Sequence, residues 1–133
     1  NLSCSKKNVL RGLHYQIKKP QGKLVRIVRG SVQDVIVDLR QSSKTFGQHF
    51  SITLTDKNNL SLWTPPGFAH GFLSLEDDTQ FFYKVTNEYS PENERTLLWN
   101  DPELGIDWKN DGEPLLSEKD AIGKTLKDCE KYA

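Results

Sequence analysis

The 133-residue chain contains no methionine, only two cysteines and no excess of charge of either sign, with 18 Lys+Arg set against 18 Asp+Glu. Each absence excludes something. Without a clustered surplus of Lys and Arg there is no electrostatic footprint for nucleic acid or an anionic membrane. The longest uncharged apolar runs, such as Leu97-Leu98-Trp99, are a few residues long, whereas a membrane-spanning helix needs about 20. Cys4 and Cys129 lie at opposite ends and form no C-x-x-C pair, so neither a zinc knuckle nor a disulfide framework is indicated, and two free thiols in a reducing cytoplasm are expected. The lack of any Met implies that the chain begins after its initiator, and Asn1-Leu2-Ser3-Cys4 has neither the charged nor the apolar region of a signal peptide. The six Phe, four Tyr and three Trp argue against disorder, because disordered chains are poor in aromatics.

What is present reads as β-structure. Lys23 to Arg40 is rich in β-branched residues and broken at Gly30-Ser31, which predicts a strand, a turn and a second strand. In the second, Val35, Val37 and Leu39 alternate with Asp34, Ile36 and Asp38, so one face should meet the core and the other be partly wet. Phe50–Thr55, Leu60–Trp63, Phe72–Leu75 and Gln80–Val85 are further short strands separated by turn residues, including Pro65-Pro66-Gly67 and the acidic Glu76-Asp77-Asp78. Many short strands with turns between them predict an all-β jelly roll in a single domain over residues 1–133. One helix is expected near the C-terminus, capped by Ser117 with Asp120 three residues on. Ile122, Leu126 and Cys129 follow at i, i+4 and i+7, a stripe that should lie against the barrel.

Chemistry-bearing residues gather in three segments beside strands: Leu10–Gln16, Gln21–Arg26 and Pro65–Phe72. If the first is a regular strand, Arg11, Leu13 and Tyr15 face away from Gly12, His14 and Gln16. His14 is a candidate base, since histidine titrates near neutrality, although a lone strand histidine is more often a structural hydrogen-bonder. Lys23 can stabilise a developing oxyanion if it points into the barrel mouth; local sequence alone favours a solvated strand end. Tyr83 is equally a proton donor or part of an aromatic core. His70 lies in what reads as a Pro-Gly-framed loop, where function concentrates. Asp120 is first a capping residue, but a carboxylate there can also reach a histidine and hold its tautomer. His14, His49 and His70 form no H-x-H or H-x-x-x-H pair, and no Gly-rich phosphate loop is present, so metal-ligand and nucleotide-loop signatures are missing.

Seven stretches in sequence order resemble the dTDP-4-dehydrorhamnose 3,5-epimerase (RmlC) family: VLRGLHYQ at Val9–Gln16, QGKLVR at Gln21–Arg26, Val35–Arg40, PPGFAHGF at Pro65–Phe72, YSPE at Tyr89–Glu92, WNDPELGIDW at Trp99–Trp108 and LSEKD at Leu116–Asp120. The resemblance implies a cupin-like jelly roll, a homodimer, no cofactor or metal, and a nucleotide-sugar substrate, dTDP-4-keto-6-deoxyhexose, used for surface polysaccharide. It implies His14 as base, Asp120 as its orienting partner, Lys23 as enolate stabiliser and Tyr83 as the acid on the opposite face of the ring. Arg11, His70, Asn1, Ser3, Gln16 and Glu94 match substrate-binding positions. The stretch from His14 to Lys23 is one residue shorter than in many members. The family's N-terminal strands, with a D-x-R-G-type motif that exchanges between subunits, would precede Asn1 and are expected in the native gene product. The alternatives are an epimerase acting at C3 or C5 only, a ketoisomerase, an inactive sugar-binding cupin, and a metal-dependent cupin using His14, His49 and His70.

Overall fold

The computed structural model describes residues Asn1–Ala133. Nine strands form two antiparallel sheets. In chain order they are β1 (Leu2–Ser5), β2 (Leu10–Gln16), β3 (Lys23–Arg29), β4 (Ser31–Asp38), β5 (His49–Thr55), β6 (Ser61–Thr64), β7 (Phe68–Ser74), β8 (Thr79–Val85) and β9 (Glu94–Thr96). One sheet has the order β1-β8-β3-β6 and the other β5-β4-β7-β2-β9. This is the expected jelly roll, with one short helix, α1 (Glu118–Ala121). No helix is long and apolar enough to cross a membrane.

The turn at Gly30 does more than reverse the chain. β3 pairs with β6 and β8, while β4 pairs with β5 and β7, so the two strands belong to different sheets and the chain crosses between them here. Gly30 has φ 88° and packs so closely on Thr79 that a Cβ would sit 2.4 Å from its Oγ1. Only glycine meets both demands without strain.

Two apolar clusters result. Val25 and Ile27 of β3 and Phe81 of β8 meet Val32, Leu54 and Phe72 of the other sheet, which makes the interior of the sandwich. The larger cluster lies on the opposite face of the five-stranded sheet, where Leu10, Leu13, Tyr15, Val35, Val37 and Leu73 are covered by Leu97, Leu104, Trp108 and Cys129 of the C-terminal segment. The five-stranded sheet is therefore the middle layer, and this corrects the reading of β4 as half wet. All eight of its residues are buried. Asp34 and Asp38 alternate with valines because they point between the sheets towards polar partners.

The C-terminal helix is also shorter than its apolar spacing predicts. It ends at Ala121, and Ile122 is 81% exposed. Gly123 then passes against the Leu97–Leu98 backbone, and Lys124 pairs with Leu97 in an extended bridge. Leu126 and Cys129 still pack on the outer cluster, so their spacing reports burial and not helical continuation.

Asp38 ends β4 and organises the next loop. Arg40 reaches it through Nε at 2.9 Å and Nη2 at 3.0 Å, and Thr45 donates its hydroxyl. Burial alone would raise the pKa of this carboxyl, but the hydrogen bonds from Arg40, Ser43 and Thr45 outweigh it and hold it well below the usual carboxylate range. A depressed carboxyl contributes stability that is present above its unfolded pKa and is lost as pH falls through the folded one. Asp38→Asn is expected to cost about 2 kcal/mol at pH 7. Urea unfolding should show that deficit shrinking below about pH 4.

Candidate active site

The site begins with an irregularity in β2. Its register with β7 shifts between Arg11 and His14, at Gly12, which has φ 123° and whose Cβ would lie 2.7 Å from the Cα of Gly71. Two glycines here let the strands touch, and the extra residue turns Arg11 and His14 to the same side. The simple alternation expected of Leu10–Gln16 is thereby overturned. Arg11 and His14 line one cavity together, while Leu13 and Tyr15 enter the outer cluster.

His14 Nε2 lies 2.6 Å from Asp120 Oδ1, and Gly12 N donates to Asp120 Oδ2 at 3.0 Å. Ser117 caps α1 by accepting from Asp120 N at 3.2 Å. The capping residue expected at Asp120 is thus also the partner of His14, with its carboxylate turned inward. Burial would raise the pKa of Asp120, but the hydrogen bond and charge of His14, the Gly12 N–H and the charge of Lys119 bring it below the ordinary value. An ionised Asp120 can only accept, so His14 carries its proton on Nε2 and leaves Nδ1 as the basic atom.

Lys23 opens β3 and, despite the shortened connection from His14, lines the same two cavities as His14. It makes no hydrogen bond or ion pair within the chain, and burial lowers its pKa against the opposing attraction of Asp34 and Glu94. Tyr83 of β8 lines both cavities as well. His14, Lys23 and Tyr83 therefore stand where an inner cavity of about 170 Å³ meets an outer one of about 410 Å³.

The inner cavity also receives Ser3, Arg11 and His70. His70 lies in strand β7 and not in a loop, because the residues after Gly67 pair with β4. Its Nε2 is 2.6 Å from Asp34 Oδ1, with both groups buried, and Asp34 Oδ2 has no hydrogen-bond partner. Asp34 is a member of the site that reading the sequence missed. The signal was a carboxylate at the centre of a β-branched strand, where an unpaired charge is too costly to keep. Asn1, Gln16 and Glu94 line the outer cavity. Glu94 is ion-paired with Lys119; burial works against it, but hydrogen bonds from Lys119 and Tyr89 lower its pKa. Tyr89, also overlooked, is 65% exposed and borders both the outer cavity and a neighbouring one of about 310 Å³.

No group of three or more His, Cys, Asp or Glu side chains is placed to share a metal ion, and His49 is exposed on the edge strand β5, two strands from His70 on β7 and three from His14 on β2. The arrangement has a histidine with a fixed tautomer, a desolvated cation and a phenol around one junction. Such a set can remove a proton next to a carbonyl, stabilise the enolate and return a proton.

The family model described as dTDP-4-dehydrorhamnose 3,5-epimerase matches residues 1–128. The protein of that name from Neisseria gonorrhoeae is 53% identical over 133 residues, which is 100% of this chain and 40% of that protein. The one from Pseudomonas aeruginosa is 53% identical over 132 residues, 99% of this chain and 73% of that protein. The crystal structure of dTDP-6-deoxy-D-glucose-3,5-epimerase RmlC from Legionella pneumophila, in complex with dTDP-4-keto-L-rhamnose, superposes with a TM-score of 0.95 at 47% identity, covering 98% of this chain and 69% of that one. The chain thus spans well under half of the Neisseria protein and about seven-tenths of the other two.

The His14–Asp120 pair yields a spectroscopic prediction. In ¹⁵N spectra of the neutral form, His14 is expected as the Nε2–H tautomer, and Asp120→Asn should populate the Nδ1–H tautomer because a carboxamide no longer demands a donor. An unchanged tautomer in the variant would remove Asp120 from the orienting role.

Proposed function

Since the chain belongs to the dTDP-4-dehydrorhamnose 3,5-epimerase family, we propose that it inverts C3 and C5 of dTDP-4-keto-6-deoxy-D-glucose to give dTDP-4-keto-L-rhamnose. The observation that carries this reading is the convergence of His14, Lys23 and Tyr83 on one junction, with Asp120 behind the histidine.

The C4 ketone acidifies the protons at C3 and C5. His14 Nδ1 takes one of them, and the charge that develops on the C4 oxygen is met by Lys23, whose partial burial strengthens the interaction. Tyr83 returns a proton to the opposite face, which inverts the centre; His14 then gives up its proton and the Tyr83 phenolate regains one by exchange with water, and the sequence repeats at the second carbon. Arg11, His70 and Ser3 hold the sugar and diphosphate around the inner cavity. Asn1, Glu94 and Tyr89 border the nucleotide, with the exposed Tyr89 ring offering a face for the base to stack on.

The partner is a second copy of the chain. On the outer face of the four-stranded sheet, Leu2, Leu24, Val28 and Trp63 are each between 44% and 62% exposed, and an apolar sheet face of this kind favours burial against another surface. The free thiols Cys4 and Cys129 suit the reducing cytoplasm.

Incubation with dTDP-4-keto-6-deoxyglucose in D₂O, followed by proton NMR, is expected to show deuterium at both C3 and C5. His14→Ala or Tyr83→Phe should slow inversion by about 10²–10⁴-fold. Exchange at one carbon only would make the protein a single-centre epimerase, and none at either would overturn the reading. The lowered pKa of Lys23 sets a pH limit as well. A lysine loses its charge as pH rises through its pKa, so the alkaline fall in kcat is expected at lower pH than for a free lysine, and in the slow residual rate of Lys23→Met it should move to higher pH.

A further inference from the structure

Gln16 ends β2 at the wall of the outer cavity and is 3% exposed. Its side chain has little left to offer a ligand. Nε2 donates to Lys19 O at 2.9 Å and to Glu88 O at 3.2 Å, and Oε1 accepts from Ser90 N at 2.8 Å. Both N–H donors and the carbonyl oxygen are therefore engaged by backbone. The two loops it joins are tied together elsewhere too: Asn87 Nδ2 donates to Pro20 O at 3.0 Å, and Gln21 Nε2 to Asn87 O at 2.8 Å.

Glu88 and Ser90 flank Tyr89. One carboxamide thus grips the backbone on either side of the residue whose ring stands 65% exposed at the cavity rim. Apart from the Glu94 carboxylate near its hydroxyl, little packing fixes so exposed a ring, so the backbone beneath it must set its place. We propose that Gln16 is a positioning residue that acts through Tyr89, clamping the 86–90 loop so that the ring is held ready for the nucleotide base. The role differs from the direct substrate contact implied by resemblance at this position, and it rests on the proposed nucleotide-sugar function.

The test is a double-mutant cycle read by calorimetric titration with dTDP and by steady-state kinetics. Gln16→Leu is expected to raise the dTDP Kd by about 10-fold and KM with it, since base–aromatic stacking is worth that much. The change in kcat should stay below about 3-fold, because the interaction lost is one made equally in ground and transition states. Tyr89→Ala should raise Kd by a similar factor, and adding Gln16→Leu to it should contribute less than about 2-fold. Gln16→Glu, which keeps an acceptor for Ser90 N–H but turns a carboxylate towards two carbonyls, should behave like Gln16→Leu and serves if that variant folds poorly.

Equal effects of Gln16→Leu with and without Tyr89 would overturn the proposal in favour of direct contact. A fall in kcat and Tm with KM unmoved would reduce Gln16 to a structural residue. Failure of the wild-type protein to bind dTDP would count against the nucleotide function itself. Hydrogen exchange at the Ser90 amide then decides the clamp without ligand, and an exchange rate unchanged in Gln16→Leu would overturn it.

Discussion

The carboxylate of Asp120 joins the two ends of the chain and sets the geometry of the site between them. It is 3% exposed, and burying a charge this deeply is unfavourable unless every oxygen finds a donor. One donor is His14 and the other is the backbone of Gly12, both on β2 and more than a hundred residues away in sequence. These bonds form only if the C-terminal segment wraps the five-stranded sheet, which the outer apolar cluster makes it do. Leu97, Leu104, Trp108 and Cys129 have nowhere else to bury. The tautomer of a histidine in the cavity is thus fixed by hydrophobic packing on the far face of the sheet.

The same middle layer explains why polar groups persist in strands that read as apolar. Phe72, Val32 and Leu54 fill one part of the space between the sheets. His70 and Asp34 occupy the neighbouring positions of the same β7 and β4 faces, where the sandwich opens into the inner cavity. Phe81 stacks on Phe72 with ring centroids 4.1 Å apart and lies 6.0 Å from His70. Apolar core and reactive floor are continuous, so His70 and Tyr83 are both held against the Phe81 ring.

Much of this was legible in the residues. Period-two alternation located the strands, because a residue that faces a core must be apolar whichever sheet it belongs to. Sheet membership was not legible: Gly30 reads as an ordinary hairpin turn, and only pairing shows that β3 and β4 part there. Nor can alternation show a second apolar layer beyond the sheet, so Asp34 and Asp38 passed for solvent-facing residues. The spacing of Ile122, Leu126 and Cys129 imitated a helix because two of the three enter a shared cluster from a separate turn, closed by Cys129 N donating to Thr125 O. At the site, residue types pointed to His14, Tyr83 and Asp120, but the bulge at Gly12 that brings Arg11 alongside His14 depends on the closeness of Gly71, and no local pattern encodes it.

Two Asp–His pairs of equal length share the cavity, and what separates them is access to solvent. The His14 side chain is 28% exposed and that of His70 is 7%. Asp120 has both oxygens satisfied, whereas Asp34 keeps one unpartnered. In the proposed reaction two centres are inverted, so the base must return to the neutral state between them, which requires an exit for the proton. His14 has that route and His70 does not. In the proposed function the buried pair holds a fixed polar group against the substrate, since a ring bonded to Asp34 and lying over Phe81 has little freedom to turn. On the proposed function, division of labour between two chemically alike pairs follows from how deep each lies in the sandwich.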